Sequence, residues 1–83
     1  MLYLPKWTEL IVALYNAEPR HRYCGRLSRT TQMTARHVRN LVTILEEMKL
    51  VSREASGRIK YISLTDTGQE LAKMLLRIYP TLR

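Results

Sequence analysis

The chain of 83 residues carries 14 Lys and Arg against 7 Asp and Glu, a formal charge of +7, with 46% apolar residues and one cysteine. That balance belongs to a folded globular domain and excludes a low-hydropathy disordered segment, while a lone cysteine excludes an internal disulfide framework. The apolar runs fall far short of the ~18 residues of a membrane helix, and Met1 to Pro5 lack a signal-peptide pattern, so the expectation is one cytoplasmic domain over 1–83 with no membrane partner.

Trp7, Leu10, Ile11, Leu14 and Tyr15 recur at the spacing of one helical face, with Pro5 in the opening turn and Pro19 as the stop. A short second helix is predicted from Arg22 to about Thr31, with Cys24 and Leu27 turned inward. Thr34 suits the N-cap of a third helix running to about Lys49, whose inward residues would be Val38, Leu41, Val42, Leu45 and Met48. The period then changes. Val51 to Glu54 and Arg58 to Leu64 read as two strands joined by a turn at Ala55, Ser56 and Gly57. Large apolar residues at both Tyr61 and Ile62 leave the strand register open by one position. Thr65 caps a fourth helix over about 66–79, with Asp66 and Glu70 in its opening turns and Arg77 near its end, as the helix dipole favours.

The positive charge is concentrated. No acidic residue lies between Pro19 and Leu45, yet Arg20, Arg22, Arg26, Arg29, Arg36 and Arg39 do. Arginine presents a planar fork suited to phosphate and to guanine edges. At 100° per residue, Arg36, Asn40 and Thr43 lie opposite Val38 and Leu45, with His37 and Arg39 flanking that face. Such a basic helical face points to nucleic acid.

Met33-Thr34-Ala35-Arg36-His37-Val38, then Val42, Leu45 to Val51, Gly57-Arg58 and Leu64-Thr65-Asp66-Thr67-Gly68, resemble the winged helix-turn-helix pattern of small MarR-, ArsR- or PadR-type regulators of bacteria and archaea. The resemblance covers about Cys24 to Leu71. It implies a mostly α fold with a β-hairpin wing, an α+β chain ordered helix, helix, helix, strand, strand, helix. It further implies a dimeric regulator binding specific double-stranded DNA. The third helix would enter the major groove, with Arg36, His37, Arg39, Asn40 and Thr43 reading bases. Arg22, Arg26, Arg29 and Thr34, and Arg53, Ser56, Gly57, Arg58 and Lys60 of the wing, would meet the backbone or the minor groove. The family usually has glycine where Lys49 sits, at a positive φ that would cost lysine about 1 kcal/mol.

No catalytic constellation emerges. Glu46 and Glu47 are the only adjacent carboxylates and diverge by 100° on a helix, and there is no triad or phosphate loop. His21, Cys24 and His37 have no recognised metal-ligand spacing, so no metal, no cofactor and no obligatory small-molecule ligand are expected. Cys24 reads as a buried structural thiol, with a redox-sensing role as its alternative. From Leu71 to Tyr79 only Lys73 and Arg77 are polar, more apolar surface than one core contact needs. The surplus predicts a homodimer through Leu71, Met74, Leu75, Ile78 and Leu82, joined by the Met1 to Leu4 arm. The alternative function is a winged helix used as a protein-interaction or assembly module.

Overall fold

Pro5 and Pro19 bracket the first helix as their missing N–H groups require. In the computed structural model, which describes residues 5–78, Pro5 is the N-cap of α1 (Lys6–Asn16). Its carbonyl accepts from the Thr8 backbone N–H at 3.1 Å and from the Thr8 hydroxyl at 2.6 Å. Leu10, Ile11 and Leu14 are fully buried and Val12 nearly so, so α1 is the central element, with Trp7 and Tyr15 half-buried at its margins. Apolar side chains on most of its circumference make that position favourable.

A short 3-10 turn at Pro19–His21 leads to α2 (Cys24–Thr31), which begins two residues later than the sequence pattern predicts. Arg22 therefore lies outside α2. Its Nε donates to the Ala17 carbonyl at 3.0 Å beyond the end of α1, and its own carbonyl accepts from the Ile62 N–H at 2.7 Å. The chain between α1 and α2 is thus tied to the hairpin.

α3 (Ala35–Glu47) follows, then an antiparallel hairpin of β1 (Val51–Ser56) and β2 (Ile59–Leu64), and finally α4 (Asp66–Ile78). The order of elements is that of a winged helix, as the resemblance implies. Val38, Val42 and Leu45 are buried, but Met48 is 58% exposed and not inward as its spacing predicts. The helix has ended by then, and Lys49 turns the chain at φ 61°, so Leu50 and Val51 take the buried place instead. The register is settled by Ile62, which is 1% exposed and pairs with Arg53. Tyr61 turns the other way and meets Tyr23 edge to face, with ring centroids 6.2 Å apart. Each of the two large residues thus has a partner, which is why neither register could be chosen from hydropathy.

Candidate nucleic-acid interface

The α2–α3 connection is held by local hydrogen bonds. Gln32 adopts a left-handed conformation, φ 58°, at the end of α2, and the Met33 N–H donates to the Ser28 carbonyl at 3.1 Å. Thr34 caps α3: its hydroxyl accepts from the His37 N–H at 3.1 Å, satisfying a helix-end donor. Leu27 and Thr31 of α2, Met33 of the connection and Val38 of α3 are all buried, and the Thr31 hydroxyl is satisfied by the Leu27 carbonyl at 2.7 Å. The motif is therefore anchored at its base.

That base presents Arg36, Asn40 and Thr43 to solvent on the side of α3 opposite Val38, Val42 and Leu45, with His37 and Arg39 exposed on its flanks. Among the described residues, none of Arg26, Arg29, Arg36, Arg39 and Arg58 forms an ion pair with a carboxylate. The charge of α3 is graded along its axis. Its first turn contains no acidic residue, whereas Glu46 and Glu47 occupy its last. An isolated helix prefers the opposite placement, acids at the start and bases at the end. A phosphate near the first turn would relieve both the arginine and the helix N-terminus.

Arg26 and Arg29 are exposed on α2, while Arg22 is engaged at the end of α1 rather than standing beside them. At the wing tip the register pairs Ser56 with Ile59, leaving Gly57 and Arg58 as a two-residue loop. Gly57 has φ 63° and Arg58 is not among the residues of positive φ, the pattern of a type II′ turn that suits the twist of a hairpin. The strands thus extend nearer the tip than the turn expected at Ala55, Ser56 and Gly57. Ser56, Gly57, Arg58 and Lys60 are all exposed. Arg53 is different: its guanidinium Nη2 donates to the Thr43 hydroxyl at 2.7 Å. Sequence reasoning missed this link, since nothing in the strand pattern ties position 53 to position 43.

Cys24 is half-buried and packs against the core. Burial pushes its thiol above the ordinary value, opposed by the positive charges of Arg39 and Arg53. Among the described residues no group of three His, Cys, Asp or Glu side chains is placed to hold a metal, and no helix is long and apolar enough to cross a membrane.

On α4 the expected dimer residues separate. Leu75 is 9% exposed and Ala72 fully buried, both in the protein's own core, and Leu71 is half-buried against it. This corrects the placement of Leu71 and Leu75 on an outer face, because α4 packs on α1 and both side chains join the protein's own core cluster. Met74 and Ile78 are 54% and 61% exposed. Leu82, like the Met1 to Leu4 arm, lies outside the described residues.

Residues 10–76 match the model of the DUF6293 C-terminal winged helix domain. Among solved structures the chain is similar to MepR, a transcription regulator of the Staphylococcus aureus multidrug efflux pump MepA, at 26% identity and TM-score 0.82, over 93% of this chain and 58% of that one. It is similar to AF1382 of Archaeoglobus fulgidus at 26% identity and TM-score 0.84, over 99% and 92% of the two chains. A MepR variant from S. aureus bound to an oligodeoxyribonucleotide aligns at 25% identity and TM-score 0.81, over 93% and 58%. The chain thus spans less than two thirds of MepR and nearly all of the archaeal protein. No curated protein matches its sequence.

Proposed function

As the chain belongs to the family of DUF6293 C-terminal winged helix domains, we propose that it is a sequence-specific double-stranded DNA-binding regulator acting as a homodimer. The observation that carries this reading is the exposed face of α3, where Arg36, Arg39 and Asn40 stand together without carboxylate partners among the described residues. The N-terminal half of α3 enters the major groove, and the acidic end at Glu46 and Glu47 stays clear of the phosphates. Arg36 meets a guanine edge and Asn40 an adenine edge, each through paired hydrogen bonds. His37 and Arg39 lie beside them, and Thr43 offers its methyl group. Arg26, Arg29 and Arg58 contact phosphates or the minor groove, and Gly57 lets the wing backbone approach. MepR, whose variant was solved with an oligodeoxyribonucleotide, supports the same use of the fold.

In the dimer, Met74 and Ile78 meet their counterparts across a two-fold axis. Two recognition helices about 34 Å apart would then read an inverted repeat. A second reading is favoured by one observation. Ile44 on α3 and Met48 just past its end are 52% and 58% exposed, an apolar edge suited to a protein partner.

Alanine substitution separates the two. Under the DNA reading, Arg36→Ala and Asn40→Ala each lose about 1–3 kcal/mol on a duplex selected from a random pool, with little loss on the unselected pool. Equal losses on both pools would remove α3 from the groove and favour the interaction module.

A further inference from the structure

We infer that Arg53 is a positioning residue, clamping the first strand of the wing to the outer stripe of α3 and so setting the angle at which wing tip and recognition helix meet DNA. The inference rests on the DNA-binding reading above, and the clamp itself is a feature of the free protein.

Arg53 pairs in register with Ile62, the buried residue of β2, so it stands on the hairpin face that turns toward the body of the domain. Its Nη2 donates to the Thr43 hydroxyl at 2.7 Å and to the Arg39 carbonyl at 3.4 Å, and its Nε lies 3.8 Å from Glu46 Oε1. Arg39, Thr43 and Glu46 are spaced by four and three residues, one stripe along the helix. The Thr43 hydroxyl donates in turn to the Arg39 carbonyl at 3.0 Å. One planar cation therefore spans two turns of α3, with the hydroxyl proton committed inward and a lone pair facing the arginine. A lysine is a point charge and cannot reproduce that fork.

The location makes the link matter. Every residue from Arg53 through Lys60 is exposed, so the distal wing has no core of its own. A two-stranded ribbon is marginally stable by itself and its direction is set by what anchors its base. Arg53 stands where the buried base ends. Its positive charge already faces Glu46, and it does not stand free for phosphate as Arg58 does. The winged-helix resemblance implies a backbone contact for Arg53; the geometry assigns it to the support of that surface.

The test uses a duplex selected from a random pool by binding to this protein, and the unselected pool as control. Arg53→Met and Thr43→Val are each expected to weaken binding to the selected duplex roughly tenfold while the slope of log K against log salt holds. The double variant should be no weaker than Arg53→Met alone, and Arg53→Lys should fail to restore affinity. Arg53→Met that flattens the slope by about one unit per bound copy, or Arg53→Lys that binds like the parent, would make Arg53 a phosphate contact and overturn the inference. A second readout needs no DNA. Thr43→Val should move the backbone amide resonance of Gly57 at the wing tip, with melting temperature nearly unchanged; an unmoved Gly57 resonance overturns the clamp. Failure of the DNA reading would show instead in the unsubstituted protein, which would bind neither duplex.

Discussion

Gly68 of α4 lies so close to Leu50 that a Cβ at position 68 would overlap the Leu50 carbonyl oxygen. That oxygen accepts from the Thr65 N–H at 3.0 Å, while the Thr65 hydroxyl donates to the Lys49 carbonyl at 2.7 Å and accepts from the Gly68 N–H at 3.1 Å. The N-cap of α4 and the exit from α3 are thus one hydrogen-bonded unit. Gly68→Ala is expected to lower stability by about 1–3 kcal/mol, although alanine is the better helix former by about 1 kcal/mol. A lower urea midpoint with an unchanged slope is the expected observation. A midpoint equal to the parent's would contradict the close approach.

Lys49 lies in the same unit at φ 61°, where a side chain other than glycine costs roughly 1–2 kcal/mol. Lys49→Gly should therefore stabilise the domain by about 0.5–1 kcal/mol, the gain being reduced by the greater freedom of glycine in the unfolded chain. Thermal unfolding measures it directly, and a fall in melting temperature would argue against strain at this turn.

Two substitutions on α4 should behave oppositely. Leu75→Ala empties a buried core position and should cost about 2–4 kcal/mol of stability. Ile78→Glu places a charge on an exposed position, so the fold should persist. In the proposed dimer the same change sets two carboxylates against each other across the axis, and sedimentation should report monomers with weakened specific DNA binding. A parent protein that is already monomeric at high micromolar concentration would remove the dimer from the account.

The Cys24 thiol is raised by burial, with Arg39 and Arg53 acting in the opposite direction. The folded state therefore holds the thiol proton more tightly than the unfolded chain. That contribution to stability is fully present below the unfolded thiol value and is lost as pH rises through the folded one. Stability of the parent minus that of Cys24→Ala should be flat through neutral pH and decline in the alkaline range where an ordinary thiol begins to ionise. A difference that grows with pH would reverse the assigned cause.

The fold was legible because its signals are local. The i, i+3, i+4 spacing of Leu10, Ile11 and Leu14, the Thr34 and Thr65 caps, and the change of period after Leu50 each act over a few residues. The exposed face of α3 followed from the same periodicity. What escaped involved contacts between elements. Periodicity predicts Met48 inward because it does not register that the helix stops at Glu47. Composition alone puts Leu71 and Leu75 at a dimer interface because an apolar helix does not reveal which of its sides meets the core. The pattern extends α2 back to Arg22 because the 3-10 turn at Pro19–His21 leaves no periodic trace. The Arg53–Thr43 bond joins residues ten apart in sequence across two kinds of secondary structure, and no single-element pattern encodes it.

In the proposed complex the arginines of α2, α3 and the wing tip, which have no carboxylate partner among the described residues, face DNA phosphates and bases. The most direct test is equilibrium binding of the unsubstituted protein to duplex DNA across a series of salt concentrations. Each phosphate contact releases condensed counterions, so about four contacts per copy in a dimer give a slope of log K against log salt near −7. Tight binding at low salt that falls with that steepness is the predicted result. Binding that is absent at low salt, or indifferent to salt, would contradict it.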